Sequence, residues 1–566
     1  MILMNFSTLN RLSVLLLVAT VALFVGLMGS YILNVPRDDD FPCFYLFAQQ
    51  FKANASLDLI FESYSDHRIA LVRILVLLSE YLFGSIQLQW LGYLGLLMIP
   101  ATLWIFVSFF RRENLAPVYL LPIFFWILQP QYHETVTWAQ SLFCQVPSVL
   151  LTGWAVYAAL YQPTITRKAG TSGLLCTIAT LSYGSGLFAW LPVGLIWLLE
   201  RRWKLAITWF LLTGLLFVIY FQGHKRAEYL HPLSLAFLAD NYPYVIKGFF
   251  AFVGAFVSGS LNVTKWSVLV GISITSVFLI SAWRLFTKWP VRQSEKPLLG
   301  LLTLLGYILM IGFVTAVGRV YGKDGIWTVM VGRYRFFTVC AISLAYAIQV
   351  LLSSRYRRAV LGIGLVWGLA FNVWSYISYL PELNANYKNS ATSIANWQYN
   401  HSGLLYWNQA EGDSILTQSI RHSEYDFPKN LYHVKLINSL QHSIFPANTG
   451  DTNSMHIDQQ TIVRQFGTTM FPEDVFTFRN QTFAASQQYE NGFYLVLKQN
   501  KNTFLIPTTP LTDFGQNLFA AKSGFSATVR SPLYKPGVYR VYMLQISSGQ
   551  RKLIPTGRSI TIRSFS

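Results

Sequence analysis

Long apolar runs alternate with short polar stretches from residue 11 to about residue 380, and beyond that point the alternation stops. The runs that approach the roughly 20 residues needed to span a bilayer as helix cover 12–33, 88–110, 115–130, 142–161, 170–183, 186–199, 204–221, 266–286, 297–318, 333–353 and 359–379. Two further stretches are interrupted: 69–85 carries Arg73 and Glu80, and 243–262 is rich in Gly and Phe. The pattern predicts a mainly α polytopic membrane domain at 1–380 and a soluble domain at 381–566, which is long enough to bury its own core.

After Leu380 the chain is polar and Asn-rich, with helical patches such as "KNLYHVKLINSLQHSIF". Beyond residue 455 the segments "GFYLVLKQ", "NTFLIP", "FSATVRS", "GVYRVYMLQIS" and "RSITIRS" read as short strands between Gly and Pro turns. A β-rich, sandwich-like domain is expected there.

Composition sharpens this division. Hydrophobic residues make up 53% of the 566-residue chain and charged residues only 12%, about half the share in soluble proteins. The net charge of +18 would favour nucleic acid if it formed one basic surface. Instead it sits in clusters between apolar runs: Arg111-Arg112, Arg167-Lys168, "ERRWK" at 200–204 and "RYRR" at 355–358. Such clusters orient membrane proteins with their basic loops in the cytoplasm.

With the N-terminus inside and both interrupted stretches lying along the outer interface, eleven spans place every cluster inside and the tail outside. Thirteen spans keep the tail outside but turn most clusters outward. The first run is long and lacks a small-residue cleavage site, so it reads as a retained signal anchor. Cys43, Cys144, Cys176 and Cys340 have neither metal-type spacing nor the density of a disulfide framework. Asn54, Asn400 and Asn480 stand in glycosylation sequons, which also occur by chance.

The eleven-span arrangement gathers the polar residues with chemical potential on the outer side. The first external loop, 34–87, begins "NVPRDDDFPCFY". Carboxylates crowded at a low-dielectric boundary are disfavoured as anions, which tunes one of them toward basicity. Asp38 and Asp39 are therefore either a base for an attacking hydroxyl or part of a solvated loop, with Arg37 as a phosphate or carboxylate partner. In "SYSDHRIALVR", His67 offers a hydrogen bond beside Asp66, and Arg68 and Arg73 lie near headgroup depth. A guanidinium there binds phosphate in bidentate fashion, although for Arg73 ordinary snorkelling is favoured.

In "QYHETVTW", Glu134 beside His133 could orient an acceptor or help hold a cation. Trp138, with Gln140 nearby, could stack on a sugar ring or act as an interfacial anchor. Arg319 in "GR" and Arg333-Tyr334 in "GRYRF" place cations on the outer face, joined by Lys225 and Arg226. These run against the usual charge bias, and a departing lipid phosphate would give them a role. No nucleotide-binding loop, HExxH motif, nucleophile elbow or intramembrane acidic relay occurs.

An Asp-Asp motif after the first span, interfacial helices in a long first loop, eleven to thirteen spans and an external C-terminal domain together resemble the GT-C superfamily. These are integral-membrane glycosyltransferases that use polyprenol-phosphate sugars, including protein mannosyltransferases and lipid A aminoarabinose transferases. "PRDDDF", "DHRI", "SYGSGLFAW" and "GRYRF" are also similar to patterns in a group of uncharacterised bacterial membrane proteins assigned to that superfamily. The resemblance covers about residues 1–380.

It implies a GT-C-like fold and an inverting transfer on the extracytoplasmic face of a bacterial inner membrane. The acceptor would be a glycan, lipid or protein, and the tail would be periplasmic. The base maps onto Asp38 or Asp39, the run of three leaving the register open, and arginines hold the departing phosphate. Some members use a divalent cation, Mg2+ or Mn2+, and others do not; Asp39 and Glu134 would be its ligands here. Outside this class stand a transporter or flippase of lipid-linked saccharides, a polymerase or ligase, and a non-catalytic scaffold.

Overall fold

The computed structural model describes residues 6–65, 67–223, 234–258, 263–287, 292–428, 431–449, 455–466, 469–481, 492–510, 524–547 and 550–563. The chain forms two compact units that interleave in sequence. The first takes Met1–Ser30, Ile60–Ile74 and Gly92–Ile377, and the second takes Tyr31–Leu59, Leu75–Leu91 and Ser378–Ser566.

Eight helices among the described residues are long and apolar enough to cross a membrane: Asn10–Ser30, Leu88–Arg112, Ala139–Tyr161, Trp203–Phe221, Thr264–Phe286, Gln293–Arg319, Gly332–Leu352 and Arg357–Asn400. They give the chain the make-up of a multi-pass helical membrane protein. Three expected spans are not long apolar helices. Residues 115–130 form a 3-10 turn, Pro117–Leu120, and a short helix, Leu121–Ile127. Ile165–Ser182 is helical but less apolar, and 186–199 belongs to a shorter helical stretch, Gly184–Leu199.

The 115–130 segment stops being helical because polar residues follow at once. The turn at 128–132 is buried, and several of its polar groups are met by other side chains and backbone, while Gln129 Nε2 and Gln131 Oε1 make no hydrogen bond. Gln129 accepts from the Gln131 N–H and from Ser375 Oγ, and Asn372 Nδ2 donates to Phe125 O at 2.8 Å and Leu128 O at 2.9 Å. Irregular backbone in an apolar unit persists where protein supplies those partners. The interrupted stretches are also helical: Ala70–Phe83, and Leu235–Val253 followed by a 3-10 turn.

Helices of the first unit approach closely where glycine permits it. A Cβ on Gly254 would lie 2.0 Å from Ser267 O, and one on Gly271 would lie 1.9 Å from Phe250 O. Small residues bring apolar helices into backbone contact in this way.

The predicted basic clusters share one end of this unit. Lys296 pairs with Glu200 at 3.1 Å and Arg202 with Glu200 at 3.0 Å. Lys168 Nζ donates to Leu160 O at 2.9 Å, and Arg112 lies 4.7 Å from the Tyr161 ring centroid. The Glu200 carboxylate, the Tyr161 ring and the Leu160 carbonyl thus take up part of this charge.

In the second unit, Lys52 on helix Phe47–Asn54 pairs with Glu80 and lies 3.3 Å from the fully buried Glu424. Burial works against the lysine's charge, but Glu80 and then Glu424 hold its pKa above the ordinary value. The C-terminal strands form two four-stranded antiparallel sheets. Numbering a short hairpin, Ser63–Tyr64 and His67–Arg68, as β1 and β2, the sandwich strands follow. They are β3 (His456–Phe466), β4 (Thr469–Asn480), β5 (Gly492–Gln499), β6 (Asn502–Pro507), β7 (Thr509–Pro510), β8 (Phe525–Arg530), β9 (Gly537–Ser547) and β10 (Gln550–Ile562).

The sheet orders are β10-β9-β5-β6 and β3-β4-β8-β7. Both contribute inward residues to one core, including Phe476, Phe478, Leu495, Leu497, Val529 and Val541. Alternate residues along each strand face inward, which makes a sandwich.

Strand β6 is an edge, and a helix covers it. Asn396 Nδ2 donates to Leu505 O at 2.9 Å while Leu505 N–H donates to Asn396 Oδ1 at 2.8 Å. One helical turn on, Asn400 repeats the exchange with Thr503 at 2.9 and 3.3 Å. Two side-chain amides at i and i+4 thus stand in for a neighbouring strand, which protects the edge from pairing elsewhere. Asn400 and Asn480, both in sequons, are buried in this unit.

Candidate functional site

The candidate residues divide between the two units, and each group is described within its own. In the second unit, Asp38 opens a tight turn with φ +44°, a conformation that L-residues other than Asn and Asp rarely adopt. Its N–H donates to Leu405 O at 2.7 Å. Asp40 closes the turn: its N–H donates to Arg37 O at 2.9 Å, and its Oδ2 accepts the Arg37 N–H at 3.1 Å. The π-helical turn Phe41–Leu46 begins directly afterwards, with Cys43 N–H donating to Asp39 O at 2.9 Å.

The three aspartates are therefore inequivalent. Asp40 is buried and turn-forming, Asp38 is exposed and Asp39 is half-buried. Asp39 acts electrostatically on Tyr406, whose ring stacks on Phe41 with centroids 4.8 Å apart. Tyr406 donates to Glu411 Oε2 at 3.0 Å. Burial, then Glu411 and Asp39, push the Tyr406 hydroxyl above its ordinary pKa, so it stays a proton donor.

The first unit assembles a second group at the end away from the basic clusters. Arg319 ends helix Lys296–Arg319, and Arg333 and Tyr334 lie in the 3-10 turn Gly332–Tyr334. Both guanidinium charges act on the hydroxyl of Tyr183, beside Tyr334 and Cys144. The His67 ring lies against Tyr183, with centroids 3.8 Å apart. Hairpin β1–β2 aims His67 there, pairing Tyr64 with His67 and Ser63 with Arg68.

Glu134, in helix His133–Thr137, is exposed. Gly332 makes room for it: a Cβ at that glycine would lie 2.3 Å from Glu134 Oε2. Thr135 Oγ1 donates to Arg333 O at 3.2 Å, and Arg335 Nη1 donates to Gln131 O at 3.3 Å. Glu134 and the 332–334 turn are thus held together. Trp138 has extended backbone between helices His133–Thr137 and Ala139–Tyr161 and is half-buried.

Arg68 is arranged differently from the expected phosphate clamp. Its Nε donates to Tyr220 O at 2.8 Å, its Nη2 to Gln222 O at 2.7 Å and its Nη1 to Phe61 O. The guanidinium thereby caps the C-terminal end of helix Trp203–Phe221, where carbonyls lack partners. Arg73 does not snorkel; it is buried, and its Nη1 donates to Glu62 O at 2.6 Å. His133, also buried, has Nδ1 3.2 Å from Pro130 O. Asp66, Lys225 and Arg226 lie outside the described residues.

Tyr183, Tyr406, Glu411 and Gly332 were not singled out from the sequence. A tyrosine beside "GSG" carried a faint signal for the first. The pairing of Asp39 with Tyr406 spans far too much chain for any local pattern to reveal it. Among the described residues no group of three or more His, Cys, Asp or Glu side chains could hold a metal ion, and all four cysteines are free and buried. No protein-family model, no curated protein and no solved structure matches this chain.

Proposed function

We propose that this chain is a membrane glycosyltransferase that moves a sugar from a polyprenyl-phosphate donor to an acceptor on the extracytoplasmic face. The observation that carries the reading is the placement of Arg319, at the end of helix Lys296–Arg319, and Arg333, in the turn Gly332–Tyr334, at the end of the first unit opposite its basic clusters, with the His67 ring tilted against Tyr183. Fixed cations at the end of an apolar unit opposite its basic clusters suit an anionic lipid headgroup. Within the second unit, the turn at Asp38–Asp40 leaves two carboxylates accessible while a third fixes the backbone, as the base implied by the resemblance requires.

In the proposed step, Asp38 or Asp39 accepts the proton of an acceptor O–H as that oxygen attacks the anomeric carbon. The bond from that carbon to the phosphate oxygen breaks, and its electron pair leaves with the phosphate. Configuration inverts. Negative charge grows on the departing group, where preorganised guanidinium donors are worth most. Arg319 and Arg333 are assigned this role, whereas the donors of Arg68 are committed to carbonyls of the first unit.

The test replaces Asp38 and Asp39 singly with Asn, verifies membrane insertion and measures transfer from polyprenyl-phosphate sugars. Loss of a general base costs about 10²- to 10⁴-fold, so one variant should fall by that much. Full transfer in both would remove the proposed base.

A further inference from the structure

Inside the first unit, helix Ala139–Tyr161 carries polar side chains at Ser141, Gln145, Ser148 and Thr152. Spacings of three and four residues set them on one helix face, and all four residues are more than nine-tenths buried. The deeper part of this strip is satisfied. Ser148 Oγ donates to Gln145 O at 2.8 Å, and Tyr307 from helix Lys296–Arg319 reaches Ser148 O at 3.4 Å and Ser185 O at 3.2 Å.

The part nearer Tyr183 is not satisfied. Ser141 Oγ and Gln145 Oε1 make no hydrogen bond, although the two residues are only 3% and 2% exposed, and Ser185, 8% exposed, has its hydroxyl beside that of Tyr307. Ser185 follows Tyr183 by two residues, and Cys144, beside Gln145 in the chain, acts on Tyr183. The strip therefore runs from the arginine–tyrosine cluster toward Tyr307.

Buried oxygens without partners are unfavourable and rare. Inside an apolar helical unit, polar groups mark a ligand path. The chemistry of these oxygens narrows the ligand. They are neutral hydroxyl and amide groups, so an ion would find no counter-charge among them, and a lipid chain would leave every one unmet. A neutral ring bearing several hydroxyls meets both hydroxyl donors and an amide acceptor.

We propose that Ser141, Gln145 and Ser185 hold the sugar ring of the lipid-linked donor through its hydroxyls, with Tyr307 as the floor of the subsite. This rests on the transferase reading and adds the place where the sugar sits. Gln145 Oε1 accepts from one sugar hydroxyl, and the two serines exchange hydrogen bonds with others.

The experiment uses the full chain in nanodiscs. It compares the affinity of undecaprenyl phosphate with that of the same lipid carrying glucose, galactose, mannose or N-acetylglucosamine. At least one sugar-bearing lipid should bind ten-fold or more tightly than the bare one. Gln145→Leu should erase that gain, and Ser185→Ala should reduce it at least three-fold. Each variant is judged against its own affinity for the bare lipid, so a folding defect lowers both values together.

Equal binding of bare and sugar-bearing lipids overturns the subsite while leaving the transferase reading in place. A gain that survives both substitutions also overturns it and marks the strip as holding water only. Failure of every lipid to bind, the bare one included, removes the transferase reading and the subsite with it.

Discussion

At the scale of single residues, the three consecutive aspartates separate by role. Asp40 supplies a buried acceptor for the Arg37 N–H, so Asp40→Ala should destabilise the protein by about 1–3 kcal/mol through the unmet donor. A thermal melt of the purified chain would measure it. Asp38→Gly works in the opposite direction, because glycine adopts φ +44° freely and relieves about 1 kcal/mol of backbone strain. If Asp38 is the base, that variant should melt at or above the wild-type temperature and yet lose sugar transfer. The sequence displayed the acidic run but not this division, which depends on Leu405 holding the Asp38 N–H from a distant segment.

A second residue gives the second unit its own pH response. His433 is buried, with Nε2 3.0 Å from the Tyr494 hydroxyl. Burial, and then the nearby charge of Lys388, lower its pKa to about 3. The unfolded chain binds a proton at this histidine below the ordinary imidazole value of about 6.5, whereas the folded chain does not until about pH 3. Its contribution is therefore complete above pH 6.5 and declines as acid is added toward pH 3, by up to about 1.4 kcal/mol per pH unit. Melting temperatures between pH 7 and pH 4 should fall for wild type and fall less steeply for His433→Gln. Equal slopes would refute the assignment.

At the scale of elements, the strands after residue 490 were plain in the sequence because short apolar or alternating runs are bounded there by turn residues. "GFYLVLKQ" is β5 and "GVYRVYMLQIS" is β9. Strands β3 and β4 were not picked out, since "HIDQQTIVRQF" has a weak alternation that only pairing with its partner strand makes regular. Helix Arg357–Asn400 runs past the drop in hydropathy near Leu380 and past Pro381. Its polar continuation has a reason invisible to hydropathy, namely the paired amides of Asn396 and Asn400 along β6. Asn396→Ala would leave the Leu505 N–H and C=O unmet, a cost of about 2–4 kcal/mol for two groups. A drop in melting temperature of only the size typical of surface variants would argue against the strand-mimic role.

For the whole molecule, the apolar pattern was legible enough to predict a multi-pass helical unit followed by a sandwich. What it could not convey was where an apolar run stops being a helix, as at 115–130, where buried glutamines and a serine on another helix take over. The sidedness of the C-terminus follows from how such segments count. The eight long helices alone would leave both termini on one side. Adding residues 117–132, Ile165–Ser182 and Gly184–Leu199 as traverses puts them on opposite sides. If the basic clusters face the cytoplasm, as the sequence predicts, a C-terminal alkaline phosphatase fusion should then be active in a bacterial host. An inactive fusion, with the corresponding cytoplasmic reporter active, would reverse the orientation.

The second unit draws on Tyr31–Leu59 and Leu75–Leu91 as well as Ser378–Ser566, and this has a consequence for biosynthesis. About 290 residues must be translated between Leu91 and Ser378, which takes roughly 15–60 s at ribosomal elongation rates. Throughout that interval Tyr45 has no Tyr425 to pack against, and Lys52 can meet Glu80 but not Glu424. The nascent protein must carry an unfinished patch until its last third emerges. A stop codon between residues 380 and 400 should thus yield a product cleared by quality-control proteases even though nearly all of its apolar helices have already been made.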